Sequence, residues 1–387
     1  MAALTLTSLV PSIYEAMDVV SRELVGFIPA VARDSNAERA AVGQSIISPV
    51  VGAMAAENLT PAAYAADTPA QTIGNVQMTI SKARSVPFGI TGEENRGLNI
   101  AGTKASINRD RIAQAMRTLT NEVEADLAAL HVAASRAYGT YNTTPFGSAG
   151  VLTDFAESRR ILDDNGAPQS DLHMVLGAIA VAKIRGVQSG LFKVNEAGTD
   201  DMLRRGSLGE VEGFQLHNSG QVKTAVTVGT VTATVDATGY AVGTTSLTLS
   251  AAAVALLAGD IITFAGDSNQ YVVAEAISGT GGVLKIAEPG LKVAMSAATK
   301  AITVVAATTR NMFFQRSAIQ LATRAPAMPD GGDSADDVTE VADPVSGLAF
   351  QVALYRQYRR VKYEIAIAWG VKVTAPRHTM VLIGPNS

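Results

Sequence analysis

Four histidines, one acidic run and one basic strand are where this chain's residue types could do chemistry. His131, His173, His217 and His378 are far apart, and no two form the H-x-x-x-H pair that lets a helix hold a metal ion. They are read as structural or surface residues. No G-x-S-x-G elbow, no G-x-x-x-x-G-K-[ST] loop and no cysteine occur, which excludes three familiar nucleophile and phosphate devices. Gly279-Thr-Gly-Gly282 has neither the Lys nor the helix that phosphate binding needs and reads as a turn. Between Asp330 and Asp343 lie Asp330, Asp333, Asp336, Asp337, Glu340 and Asp343 with no Lys or Arg. Oxygen-rich loops suit hard cations, but the spacing is not D-x-[DN]-x-[DN]-G, and Gly331, Gly332 and Pro344 favour a solvated loop. The expectation is no catalytic site, no metal, no cofactor and no enzyme.

Charge placement is more informative. Tyr355-Arg-Gln-Tyr-Arg-Arg-Val-Lys-Tyr363 interleaves aromatics with Arg356, Arg359, Arg360 and Lys362, a composition able to stack bases or neutralise phosphates. The alternative is a sheet strand whose charges pair with neighbouring carboxylates. These four are the candidate DNA-facing residues, although a strand alternates faces and at most part of the set points one way. A long helical segment carries Arg109, Arg111 and Arg117 early and Glu122, Glu124 and Asp126 late, the reverse of what the helix dipole favours. Its charges are either solvated or meet opposite charges on a neighbouring chain.

The 387 residues allow two or three domains, and with 5% aromatic residues the cores must rest on Ala, Val, Ile and Leu. A net charge of -4 is not that of a nucleic-acid-coating protein. The first basic residue is Arg22 and the longest apolar run is Ala251 to Ala258, so neither a signal peptide nor a membrane span is expected.

The elements that must position these residues follow from periodicity. Ser12 to Val31 has helical spacing at Ile13, Ala16, Met17, Val20, Leu24 and Phe27, and reads as an amphipathic arm helix. Ala32 to about Asp67 lacks a sustained period and reads as an extended arm. Strands at Val76–Ile80 and Ser85–Ile90 suggest a long two-stranded loop that needs a partner surface. Ile112, Met116, Leu119, Val123, Leu127 and Leu130 predict a helix from Asn108 to Tyr138, closed by Gly139 and about 45 Å long at about 1.5 Å per residue. Thr153 is placed to cap a shorter helix ending before Asn165. His173–Leu176 and Gly213–His217 read as strands around a helix from Ala178 to Ile184. From Val222 to Ala306 only nine residues are charged, and short β-type runs broken by Gly indicate an inserted all-β module. Strands resume at Met312–Phe314, Ala318–Ala322, Leu348–Tyr355, Arg360–Trp369 and Thr379–Ile383.

This order of parts resembles the major capsid (coat) proteins of tailed bacteriophages, in the subgroup with an inserted β-barrel domain. The resemblance is carried by Gly206-Ser-Leu-Gly-Glu-Val-Glu-Gly-Phe-Gln-Leu-His-Asn-Ser219 and, most specifically, by Thr309-Arg-Asn-Met-Phe-Phe-Gln-Arg-Ser-Ala-Ile-Gln-Leu-Ala-Thr-Arg-Ala-Pro326. Leu348-Ala-Phe-Gln-Val-Ala-Leu-Tyr355 and Trp369-Gly-Val-Lys-Val-Thr-Ala-Pro376 add to it. It implies an α+β capsid fold. The parts would be an N-terminal arm and helix (1–65), an extended loop (66–107), spine helix and first peripheral part (108–170), first axial part (171–221), inserted β-barrel (222–306), axial return with acidic loop (307–345) and peripheral strands (346–387). It also implies pentamers and hexamers of this chain in an icosahedral shell around double-stranded DNA bound without sequence preference. A separate scaffolding protein and a portal protein at one vertex would be partners, with assembly in the host bacterial cytoplasm and no membrane. Lys82 and Lys104 match no crosslinking motif. Candidate subunit-interface residues are Ile80, Arg84, Phe88, Arg109, Arg111 and Glu122. The competing class is a phage tail, decoration or surface-adhesion protein with a β-barrel head, which leaves the long helix and the C-terminal segments unexplained.

Overall fold

The computed structural model describes residues 25–35, 39–51, 73–100, 104–187, 209–225, 227–343 and 346–386. In chain order the first elements are α1 (Phe27–Ala30), β1 (Ala32–Ser35), β2 (Ser45–Val51), β3 (Ile73–Thr79), β4 (Lys82–Thr91), α2 (Gly92–Ile100), α3 (Lys104–Ala129) and β5 (Arg136–Tyr138). Next come α4 (Thr153–Asp164), β6 (Leu172–Leu176), α5 (Ala178–Val187), β7 (Glu210–Val211) and β8 (Phe214–Asn218). A β-rich stretch follows: β9 (Thr230–Val231), β10 (Thr234–Val235), β11 (Ser246–Leu256), β12 (Ile261–Phe264), β13 (Gln270–Val272), β14 (Ile277–Lys285) and β15 (Lys300–Val304). The chain closes with β16 (Arg310–Gln315), β17 (Ile319–Arg324), β18 (Asp337–Ala342), β19 (Ala349–Gln357), β20 (Arg360–Val373) and β21 (Thr379–Ile383). The fold is α+β. Of the expected arm helix, Ser12 to Val31, residues 12–24 lie outside the described residues, Val25 and Gly26 are not helical, and Phe27–Ala30 forms the short helix α1.

Among the described residues, one sheet runs β1-β17-β20-β19-β18 with β4 added on β20, and the face carrying Ile365, Ile367 and Trp369 packs on α3. Helix α3 supplies Ile112, Met116, Leu119, Val123 and Leu127, the stripe read from its period. A second sheet passes through β5, β21, β16, β6 and β8. Strand parity divides its neighbours: Met312 and Phe314 of β16 join the α3 core, whereas Phe313 joins a core built with Phe155, Ile161 and Leu162 of α4 and Val181 and Ile184 of α5.

Several expectations need correction. The long helix stops at Ala129, giving 26 residues and about 39 Å, and a 3₁₀ turn (Leu130–Ala133) leads into β5. The chain there is recruited as a strand, parallel to β21 and antiparallel to β13, so sheet pairing overrides helical periodicity. Val76–Ile80 and Ser85–Ile90 do not pair with each other. β3 pairs with β2 from Ser45↔Thr79 to Val51↔Ile73, while β4 lies on β20 from Lys82↔Trp369 to Thr91↔Arg360. Pro87 is tolerated because β4 is an edge strand. The acidic run is a loop only in its first part: β18 pairs with β19, Val341 is buried, and buried Asp343 accepts from the backbone N–H of Ser346 at 3.0 Å. Thr153 is the first residue of α4 and does not cap it.

Residues 230–304 have their own apolar core, including Val235, Leu247, Leu256, Ile262, Tyr271 and Leu284. The strand path β14-β11-β10-β15-β12-β13 turns back on itself where Val273 bridges Ile286 and Ala287 N–H donates to Val272 O at 2.9 Å. The module is joined to the rest by the β13–β5 ladder, Gln270↔Ala137 and Tyr271↔Arg136. Gly279-Thr-Gly-Gly282 is part of β14, not a turn. Its glycines take positive φ where the β11 register shifts between Leu249 and Ala253, a β-bulge in which side chains would be strained.

Candidate assembly surfaces and the arm anchor

Helix α1 is four residues long, too short to be stable alone, so its place is set by what caps it. Glu124 of α3, fully buried, puts Oε1 at 2.7 Å from the N–H groups of both Gly26 and Phe27, and Oε2 at 3.1 Å from that of Ile28. Burial pushes this carboxyl above its ordinary range, and the donated hydrogen bonds oppose the shift. Gly26 leaves room for the approach: a Cβ would lie 2.8 Å from Asn218 O and 3.0 Å from Val175 Cγ1. Arg316 Nη2 donates to Pro29 O at 3.0 Å, and Arg324 reaches both the carbonyl (2.8 Å) and the carboxylate (2.9 Å) of Asp34. Residues 26–35 are thus fastened to α3, β16 and β17.

The residues expected at subunit interfaces are largely used within the chain. Ile80 is 0% exposed, in a small core with Met78, Ala40, Ala322 and Ala368. Phe88 stacks on Tyr363 at 5.2 Å, and Arg84 faces Glu122 at 3.8 Å. Arg111 is half-buried and contributes to holding the Glu94 carboxyl below its usual range, an effect led by the Thr91 backbone hydrogen bond. Arg109 lies in α3, and its side chain is outside the described residues. The late acidic charges of α3 therefore meet partners within the chain. Glu124 caps α1, and Asp126 takes Lys82 at 2.7 Å and Trp369 Nε1–H at 2.9 Å. Exposed apolar side chains occur elsewhere, among them Ile47 (61%) on the β2–β3 ribbon, Val42 (58%) in the turn before it and Val242 (60%) in the β module. This ribbon pairs with no third strand among the described residues and is held at its base by Gly43 N–H to Ile80 O (2.9 Å) and Ile80 N–H to Gln44 O (3.0 Å).

The basic segment forms the β19–β20 hairpin tip, with Tyr358 91% exposed. Arg360 and Lys362 share one face and Arg356 takes the other, as period-2 alternation demands. Lys362 pairs with Glu364 at 2.7 Å and Arg356 with Asp336 at 3.5 Å, whereas Arg359 and Arg360 have no salt-bridge partner among the described residues. Both line or flank a groove of about 460 Å³ with Ile90, Val361 and Tyr363.

Sequence reading missed one cluster. His173 and His217, 44 positions apart, meet across the parallel strands β6 and β8 with Nδ1 and Nε2 at 3.0 Å, and His173 Nε2 contacts Asp171 Oδ1 at 3.0 Å. Only the pairing of two separate strands brings them together, and no local spacing signals it. No hydroxyl or thiol extends this chain of groups, and no cluster of three or more metal-ligating side chains occurs among the described residues. No described helix is long and apolar enough to cross a membrane.

No protein-family model matches this sequence, and no curated protein matches it. Among solved structures the chain is similar to one from the capsid of the Cyanophage P-SCSP1u, at 11% identity and TM-score 0.49 over 94% of this chain and 90% of that one. A chain from Mycobacterium phage Che8 gives 13% identity and TM-score 0.46, covering 88% and 84%. A virus-like particle from Pyrococcus furiosus gives 8% and 0.45, covering 96% and 98%. At these values the likeness is one of overall outline.

Proposed function

We propose that this chain is a shell-forming major capsid protein of the tailed-bacteriophage kind, many copies of which close around double-stranded DNA. The observation that carries this reading is the β2–β3 ribbon: two strands with no third partner among the described residues, with Ile47 exposed on β2 and Val42 exposed in the turn before it. An isolated two-stranded ribbon is marginal in water, and open apolar edges invite pairing, so its cover comes from another copy. The C-terminal segments quoted above support the same reading. In it, pentamers and hexamers form the shell, scaffolding and portal proteins act during assembly in the host cytoplasm, and the β module of residues 230–304 stabilises the subunit and its neighbours.

The DNA-facing role narrows to Arg359 and Arg360. Contact through so few charges is phosphate-directed, weak and salt-dependent, as expected of a container with net charge -4. Electron microscopy of the expressed protein tests the proposal. Closed shells are the expected result, and fibres, tail-like tubes or discrete small oligomers overturn it.

A further inference from the structure

The histidine pair, His173 buried and His217 half-buried, lies directly under the arm anchor. His173 and Val175 point to the same face of β6, and Val175 is the register partner of His217 on β8, so all three face one way. Val175 Cγ1 is also the atom closest to a side chain at Gly26 after the Asn218 backbone, which places α1 over this face. Phe314 links the two: its ring is 6.3 Å from His173 and stacks 6.4 Å from Phe27. Arg316 completes the bracket, holding Pro29 O at 3.0 Å and Asp171 Oδ2 at 3.5 Å, while Asp171 Oδ1 takes His173.

The hydrogen-bond pattern is satisfied by a neutral pair. His173 Nε2–H donates to Asp171, and His173 Nδ1 accepts the Nε2–H of His217. A first added proton goes to the remaining nitrogen of His217 and places a cation in a half-buried site beside Arg316. A second sets two N–H groups against each other at the 3.0 Å contact. Either charge repels the Arg316 guanidinium that holds Pro29, and a charge on His173 also competes with it for Asp171.

We infer that the Asp171–His173–His217–Arg316 cluster is an acid-sensitive latch, which holds the arm segment 26–31 down when the histidine pair is neutral and loosens it when the pair is charged. This goes beyond the shell reading and holds for a single subunit. Burial, with the neighbouring His173 and Arg316, lowers His217 to about 4, and burial lowers His173 as well. A histidine depressed in the docked state contributes docking strength present above its ordinary value of 6.5 and lost as pH falls toward about 4. If an undocked arm returns His217 to its ordinary value, the undocked fraction rises roughly 30-fold between pH 8 and pH 5. Glu124 of α3, the titratable group that accepts the arm's N–H groups, acts in the opposite sense because its folded-state pKa is raised.

Hydrogen exchange of the amides of residues 26–31 in the unassembled full-length subunit, corrected for the intrinsic pH dependence of exchange, tests this from pH 8 to pH 4.5. Wild type should lose arm protection below about pH 6.5 while core amides of α3 and β20 keep theirs. His217→Gln, and His217→Phe as a second replacement should the first misfold, should abolish the acid-side loss. Arm protection that holds to pH 4.5 in wild type, or falls equally in both His217 variants, overturns the latch.

Discussion

Replacing Glu124 with Ala removes the only acceptor, among the described residues, for the N–H groups of Gly26, Phe27 and Ile28 at contacts of 2.7, 2.7 and 3.1 Å. Each donor left dry in a buried site costs about 1–3 kcal/mol, so keeping all three buried is unfavourable by several kcal/mol. Opposing that is the burial of Phe27 and Ile28, both fully inside the α3 core and worth about 1.5–3 kcal/mol each. The two effects are comparable, so the arm should lift rather than the subunit unfold, with docking weakened by about 3 kcal/mol, on the order of a hundredfold. Glu124→Gln keeps an acceptor oxygen in place and should weaken docking far less. Amide exchange at Phe27 to Val31 reads the effect, with the thermal midpoint of the whole subunit as control. Unchanged arm exchange in Glu124→Ala, or a large and equal midpoint drop in the Ala and Gln variants, would refute this account of the anchor.

Other outcomes follow from the same contacts. In a His217→Gln background the remaining pH trend belongs to Glu124: its raised carboxyl gives docking strength that is full below its ordinary 4.5 and declines as pH rises, and arm exchange measured from pH 4.5 to 8 should show that sign. Gly370→Ala should destabilise the subunit by roughly 2 kcal/mol or more in denaturant titration, because a Cβ there would sit 2.2 Å from Thr79 O where β3 crosses to β4. Phe88→Ala should cost about 3 kcal/mol of subunit stability, since its ring packs on Tyr363; a variant that unfolds normally but fails to assemble would restore Phe88 to an interface role. Val42→Asp with Ile47→Asp should leave the circular dichroism and thermal midpoint of the subunit unchanged and block shell formation by electron microscopy; normal shells would remove the ribbon from the assembly contacts.

How far the fold was legible depends on whether a segment's partner is near in sequence. The α3 stripe Ile112, Met116, Leu119, Val123 and Leu127 was readable because a helix makes its own hydrogen bonds and only its apolar face looks outward. Strand β21 and the buried β6 were readable for a similar reason: short apolar runs bounded by turn residues leave few alternatives. The failures lie where two structures fit the same local pattern. Leu130 extends the helical period, yet Arg136–Tyr138 is worth more as the strand that joins β21 to β13. Ser85–Ile90 alternates like half of a free hairpin, and nothing local shows that β20, paired with β19 over Arg360–Ala366, leaves its other side open to β4. Charges misled in the same way: Glu122, Glu124 and Asp126 face partners in three distant elements, β4, β20 and the arm, none of them within one helical turn.

The candidate surfaces were the least legible part, and the reason is physical. An interface residue and a core residue are both apolar, and sequence alone does not say which chain covers them. Ile80 and Ile47 illustrate this: both are β-branched, both sit beside the same ribbon, and the register Ser45↔Thr79 places one over Ala322 and Ala368 and turns the other outward. A one-residue shift in that ladder would exchange the roles of the two faces. What fixes the register is the base of the ribbon, where Gly43 and Gln44 bond reciprocally to Ile80 and where Gly370 lets Thr79 pass close to β20. The outward face of the ribbon is therefore set by contacts inside the subunit. It follows that a change at Gly370 should disturb assembly through register as well as stability, whereas the paired Val42 and Ile47 changes should disturb assembly alone.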